Sequence, residues 1–405
     1  MSALLLLIGA SDFFVATMFT IPFFTNIVQI FSPIFFERHK FRKKYILLFF
    51  GIYRLMRCTI VFIPLLFSRP LWMPLIFTAY LLANLFGCFT MPAYNNLCIR
   101  LARGGIRYWY MPLKQALLMI VIVSTYLIFG KIMDISADKY KTFILMYGIA
   151  AFASILSLVF FSKVKEPANK TAVTHRITNY FENIKKPLGN KKYRMFLVFT
   201  AVYFFSYYLS TSLKSVYLLK YIGSPVFFVT INESIVFLMV IILSIILIRY
   251  SNAIGWFKML RLSMILYSCQ FIFLIFTDKT RLYFYIVHSI ILGTAMTAFN
   301  LSIFNYRYQI MPINERNFYE GIFGALFGTA SLIAPLAGSQ LLTALFFLTD
   351  SKMQSLRIIF IISALLTFVS FYILNQCDKI SYITPDKPKR KTPFKEEICC
   401  KVRGT

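Results

Sequence analysis

Residues 142–162 read TFILMYGIAAFASILSLVFFS, a run without Asp, Glu, Lys, Arg or His, and the next eight read KVKEPANK. As a helix the apolar run rises about 30 Å, the thickness of the hydrocarbon core of a bilayer. It therefore reads as a membrane span that ends at a basic, proline-bearing connector. Working towards the N-terminus, comparable runs occupy 13–36, 45–67, 71–97 and 110–133. Towards the C-terminus they occupy 195–219, 225–249, 261–277, 282–306, 320–347 and 355–376. The fold class expected is all-α, a polytopic membrane protein with about eleven full transmembrane helices. Residues 2–9, SALLLLIG, would rise only about 12 Å and cannot span. They read as the far end of a first helix, with an upstream start codon expected to supply the rest. A signal peptide is the poorer reading, because Met1 to Leu7 carries no basic segment and the following apolar run is too long.

The composition agrees with a membrane chain. Of 405 residues 59% are hydrophobic, 18% aromatic and 14% charged, too little polar material to wet the outside of soluble domains of this length. Seven Cys without a C-x-x-C pair give no zinc-ribbon or thioredoxin-like site. No P-loop, H-E-x-x-H or G-x-S-x-G string occurs, so neither ATP hydrolysis, a cofactor, a metal centre nor an enzymatic constellation is expected.

A net charge of +28 would suggest nucleic acid for a soluble protein, but the placement of the basic residues gives them another meaning. Assigned to alternate sides of the spans, 31 of the 43 Lys and Arg fall on one face and ten on the other, leaving Arg54 and Arg57 inside. Basic connectors stay on the cytoplasmic side, which puts the middle segment and the C-terminus there and makes nucleic-acid binding unnecessary. The expected location is a bacterial inner membrane, multi-pass, with the lipid bilayer as the main partner and a monomer as the expected state. The same reading divides the chain into a membrane bundle over 1–162, a basic linker over 163–194, a second bundle over 195–376 and a basic tail over 377–405. Within the linker Ile177, Tyr180, Phe181 and Ile184 recur at helical spacing opposite Arg176, Lys185 and Lys186. That pattern fits a helix on the inner leaflet or a solvated connector.

Corresponding loops of the two bundles rhyme. The loop after 13–36 is E-R-H-K-F-R-K-K (Glu37 to Lys44), and the loop after 225–249 is S-N-A-I-G-W-F-K (Ser251 to Lys258). Here the sequence resembles the major facilitator superfamily, whose loop at this place reads roughly G-x-x-x-D-[RK]-x-G-[RK]-x-[RK]. Glu37, Arg38 and Arg42 match its acidic and basic positions in the first copy, and Asn252, Gly255 and Lys258 fall at the acidic, glycine and basic positions of the second. The first copy lacks the glycines and the second lacks the acid. R-Y-W-Y-M-P-L-K (Arg107 to Lys114) and M-P-I-N-E-R-N-F-Y-E-G (Met311 to Gly321) extend the likeness, and Gly321, Gly324, Gly328 and Pro335 look like the family's glycine-rich eleventh helix. The resemblance implies two six-helix bundles that rock around a midplane cavity, with the loop residues gating that motion. Independently of any family, the glycines permit close helix approach and Pro335 can hinge its helix.

Ionisable groups deep in a bilayer cost at least about 2.5–3.5 kcal/mol each, so they are functional candidates by default. Glu233, in T-I-N-E-S-I, is the leading carboxylate and the expected proton-coupling group. Arg57 and Arg54 sit about 18 and 13 Å into their span, suited to an anionic substrate group or a carboxylate such as Glu233. His288 is a candidate proton relay or a structural histidine. Asn26 and Gln29, with Asn95, Asn96, Asn232 and Asn300, line a cavity or join helices by hydrogen bonds. The expected function is movement of a small solute by alternating access, proton-coupled or facilitated. The alternative is a transporter-like sensor, scaffold or lipid-handling accessory that moves nothing across.

Overall fold

A computed structural model of the chain describes residues 2–10, 12–39, 41–102, 106–136, 138–166, 180–313 and 315–379. Among them there are helices and no strands. In chain order they are α1 (Ser2–Leu7), α2 (Asp12–Asn26), α3 (Ser32–Phe36), α4 (Lys43–Thr59), α5 (Ile63–Leu66), α6 (Trp72–Leu101), α7 (Ile106–Ile135) and α8 (Lys139–Ser162). Beyond the connector come α9 (Tyr180–Gly189), α10 (Lys191–Val216), α11 (Val226–Ile254), α12 (Trp256–Phe276), α13 (Tyr283–Ile310), α14 (Arg316–Thr349) and α15 (Lys352–Lys379). Tight 3-10 turns at Ile27–Phe31 and Ile60–Phe62 carry α2 into α3 and α4 into α5, and a wide π turn at Tyr217–Ile222 extends α10. Nine stretches within the described residues are long and apolar enough to cross a bilayer, and α7 and α10, at 30 and 26 residues, have comparable length.

The helix ends follow from local chemistry. The Asp138 carboxylate accepts from the Tyr140 and Lys141 amides and opens α8, while the Asn190 side chain accepts from the Tyr193 amide and opens α10. The α11–α12 turn passes through Gly255 at φ 78°, a backbone conformation that a side chain disfavours. Three helices begin earlier than the hydropathy runs suggest: α10 at Lys191 against 195, α12 at Trp256 against 261 and α14 at Arg316 against 320. Tyr193, Trp256 and Tyr319 are buried at these starts, so amphipathic aromatic packing extends the helices past the purely apolar stretches.

The helices form two bundles. In the second, α10 lies between α12, α13 and α15. Tyr203 packs 5.2 Å from the Tyr267 ring and 4.2 Å from the Phe299 ring, and the Ser206 hydroxyl reaches the Ser363 carbonyl at 2.7 Å and Thr367 Oγ1 at 2.8 Å. In the first bundle the corresponding helices in chain order are α4, α6 and α8. They pack through Phe49 against Phe86, Tyr94 against Phe161 and the Tyr140 hydroxyl on the Val61 carbonyl. Among the described residues only the short α1 approaches the place that corresponds to α10, where Leu4 and Leu5 are buried with Ile60, Val61 and Phe143. The bundles meet where α7 packs on α11 and where α14 packs on α2 and the Ile27–Phe31 turn.

Of the connector, α9 packs on α10 and α14. Ile184 joins the main apolar core and Lys186 Nζ pairs with Glu315 at 2.7 Å. Ile177 and the side chains of Tyr180 and Phe181 lie outside the described residues.

Candidate functional site

Glu233 lies two turns into α11, where its Oε1 is 3.1 Å from Lys214 Nζ of α10. The charge count puts Lys214 among the ten basic residues of the outer side, although it falls within the 195–219 run. In the structure it belongs to a helix, and its side chain is 12% exposed beside a 44% exposed Glu233. A buried ammonium thus has its carboxylate partner on the open side, where a proton or a solute group can compete for either member. The Tyr285 ring lies 5.9 Å from Lys214 Nζ and stacks at 5.1 Å on His288. His288 Nδ1 donates to the Gln270 carbonyl at 3.1 Å, and Nε2 is buried without a partner among the described residues. The neighbouring Asn232 is buried, its amide nitrogen donating to the Phe228 carbonyl.

Arg54 and Arg57 stand in the other bundle, and neither reaches Glu233. They line a cleft of about 340 Å³ between α4, α6 and α8, together with Tyr53, Cys58, Tyr80, Tyr147 and Ser154. Arg57 Nη1 donates to the Tyr53 hydroxyl at 2.8 Å, and its guanidinium lies 5.6 and 5.5 Å from the Tyr53 and Tyr80 ring centres. Arg54 Nη1 donates to the Ser154 carbonyl at 3.0 Å.

A third polar group closes the end of the molecule that carries the 37–43 and 251–258 turns. Arg307 of α13 and Glu320 of α14 form an ion pair at 2.9 Å with side chains 6% and 3% exposed, and the Arg307 guanidinium sits 3.7 Å over the Phe323 ring. Across the two bundles, Asn96 Nδ2 donates to Asn317 Oδ1 at 2.9 Å, and Asn95 approaches Glu320 at 3.5 Å. Tyr108 of α7 stacks face to face on Trp256 of α12, 5.0 Å apart. Arg307 and Glu320 are absent from the sequence-derived candidates because both are read as lying at span ends. The early start of α14 carries Glu320 inside, so Glu233 is not the sole intramembrane carboxylate. No spacing rule links the Arg307–Glu320 pair, whose members stand on different helices, and Arg316, one turn before Glu320, donates instead to the Tyr308 carbonyl at 3.2 Å.

The loop residues behave differently in the two copies. Glu37 pairs with Arg42 of its own loop, both buried. Glu166 accepts from the Arg42 and Lys43 amides at 2.8 and 3.0 Å and opens α4. Lys43 Nζ donates to the Ser162 and Val164 carbonyls at 2.7 and 2.8 Å. Arg38 and Lys258 are exposed, Gly255 makes the α11–α12 turn, and the Asn252 side chain lies outside the described residues.

The glycines of α14 mark where the bundles touch most closely. A Cβ at Gly321 would lie 2.7 Å from the Gln29 carbonyl oxygen, and one at Gly328 would lie 2.6 Å from the Phe23 carbonyl oxygen. At Gly324 it would meet the Gln29 side-chain amide, which can swing aside. Gln29 and Asn26 hydrogen-bond each other at this contact. Pro335 lies farther along α14, beyond the contact. Gly321→Ala and Gly328→Ala are therefore expected to push α14 off α2, whereas Gly324→Ala is milder. Disulfide crosslinking between Asn96→Cys and Asn317→Cys should fall severalfold in the first two backgrounds and little in the third.

A family model described as the Major Facilitator Superfamily matches residues 195–398, half of the chain. The chain belongs to the major facilitator superfamily. As a member it is a multi-pass membrane protein of a transporter family. Among solved structures of this superfamily fold, the Escherichia coli fucose:proton symporter FucP aligns with a TM-score of 0.69 at 12% identity, over 90% of this chain and 91% of that one. A bacterial homologue of the iron transporter ferroportin, in an outward-facing state, aligns at 0.67 and 11% over 93% of both chains. The proton:xylose symporter XylE aligns at 0.65 and 11%, over 90% of this chain and 85% of that one. At these identities the likeness is one of fold. A search of curated protein sequences gave no match.

Proposed function

We propose that this superfamily member moves a small solute across a bacterial inner membrane by alternating access, driven by protons that compete at Glu233. The reading takes the bundles over 1–162 and 195–376 as the rocking bodies, the 163–194 linker and the 377–405 tail as cytoplasmic, and the monomer as the working unit. Its main support is the Lys214–Glu233 pair, a carboxylate open on one side and an ammonium buried on the other. Such a pair exists in two states, closed on itself or opened by a proton, and only a site that changes partner can link proton binding to solute binding. The Asn96–Asn317 bond and the Tyr108–Trp256 stack close the opposite end. This supports assigning the present arrangement to the outward-facing half of a cycle, with the basic end towards the cytoplasm.

Two experiments test the reading. Thiols placed by Lys185→Cys and Lys258→Cys should both be labelled by a membrane-impermeant maleimide only from the cytoplasmic side, and labelling from opposite sides would refute the orientation. Reconstituted protein should exchange a solute that raises its melting temperature in detergent. A solute that binds but never exchanges in counterflow would instead identify a sensor.

A further inference from the structure

We propose that the solute of the Lys214–Glu233 site is a singly charged organic carboxylate, that Lys214 is the group that holds it, and that Glu233 occupies its place while the site is empty. The inference rests on the reading of this pair as the place where proton and solute meet, and it names what that place takes. All the groups involved in holding the charge stand on α10, α11 and α13 of the second bundle.

Charge balance is the first argument. Lys214 Nζ is 3.1 Å from Glu233 Oε1, and the ammonium is the enclosed member, its side chain 12% exposed against 44% for the carboxylate. Among the described residues no other carboxylate pairs with Lys214. When a proton neutralises Glu233, the ammonium keeps its charge and loses its partner, and a buried charge in that condition is strongly disfavoured. A neutral solute leaves the charge standing, and a cationic one adds a second positive charge beside it. An anion restores the pair. Only an anion therefore makes proton and solute bind together, each raising the affinity for the other by the same factor. One ammonium balances one charge, which a carboxylate supplies, whereas a phosphate monoester carries about −1.5 to −2.

The surroundings are the second. The other ionisable neighbours of Lys214 are Tyr207 of its own helix and Tyr285 and His288 of α13, none of them acidic enough to replace a carboxylate. Arg357 of α15, which packs on α10, is taken by Asp278 at 3.6 Å. On α7, which packs on α11, the charged residues of the later half are Lys131 and Asp134, with side chains outside the described residues. Tyr207 lies two turns before Lys214 on the same face of α10. Its ring meets Tyr208 at 5.2 Å, and Tyr208 meets Phe23 of α2 at 5.5 Å. The ammonium thus stands at the edge of an aromatic tract that crosses between the bundles and suits the apolar body of an organic acid.

The test titrates the full chain, in nanodiscs of neutral phosphatidylcholine, with benzoate and hexanoate, beside benzamide as the uncharged control and benzylamine as the cation. Both acids are ionised between about pH 6 and 8. At least one acid is expected to bind saturably, with benzamide and benzylamine much weaker. Lys214→Gln should weaken the bound acid about tenfold to a hundredfold, the usual loss for a charged hydrogen-bond partner. Glu233→Gln removes the resident carboxylate and should bind the acid more tightly than wild type at about pH 8, a result that does not need the Lys214 variant to fold. No binding by either acid, equal binding of benzamide, tighter binding of benzylamine, wild-type affinity in Lys214→Gln or weakened affinity in Glu233→Gln would overturn the proposal. Repeating the calorimetric titration in buffers of different ionisation enthalpy counts the protons taken up. Uptake of about one proton per acid supports both this assignment and coupling at Glu233. Binding at Lys214 without proton uptake removes the coupling and upholds the carboxylate assignment, and proton-driven uptake of an uncharged solute does the reverse.

Discussion

Glu233→Gln is expected to abolish proton-driven accumulation while leaving solute exchange in place. With one proton per solute, a gradient of one pH unit drives about tenfold accumulation, and the variant should reach a ratio of about one. Glutamine keeps the length and one acceptor oxygen facing Lys214, so the local packing survives while the proton-binding step is lost. The checking measurement is uptake into liposomes with an imposed pH gradient, beside counterflow in the same preparation. Gradient-driven uptake at the wild-type level would show that the coupling group lies elsewhere. A simultaneous loss of counterflow would show that Glu233 holds the solute rather than the proton.

The largest effect on stability is expected at Glu320→Ala. Both members of the Arg307–Glu320 pair are almost fully buried, so removing the carboxylate strands a guanidinium in the protein interior, at a cost of about 3–5 kcal/mol. The Asn95 amide loses a neighbour as well. Replacing both partners, Arg307→Met with Glu320→Leu, should recover much of that loss, because an apolar pair avoids the desolvation of two charges. Unfolding in detergent of these proteins and of the single variants Arg307→Met and Glu320→Leu measures the cycle, and a double variant as unstable as the sum of those singles would show that the pair is not coupled. The double variant also separates fold from gate: it should unfold near wild type, yet it lacks the carboxylate that Asn95 approaches across the bundles.

Span positions were legible because hydropathy at helical rise is a direct measure of bilayer crossing, and 142–162 alone shows it. Helix starts were less so. Tyr193, Trp256 and Tyr319 extend helices by burying rings whose polar tips lower the local hydropathy, and with them Glu320 moved from a span edge to the interior. Lys214 was unreadable for a related reason: a basic residue near a span end looks like a connector until a carboxylate on the next helix is seen to meet it. Arg54 and Arg57 were visible as deep charges, but their cleft depends on three helices at once. The α14 glycines were legible as close-contact residues, and the structure supplies their partners, the backbone at Phe23 and Gln29. Glu37 illustrates the limit of motif reading, since it pairs with Arg42 of its own loop while the amides that open α4 are met by Glu166, 129 positions away in the chain and in no recognisable motif.

That last contact bears on biogenesis. The amides that begin α4 find their carboxylate only after α8 has been made, 124 residues later for Arg42. During synthesis α4 must enter the membrane with those amides turned to water, and the first bundle is stapled shut only when Glu166 leaves the ribosome. A ribosome stalled just before that codon would hold these helices unlatched, and one stalled well past it would hold them latched.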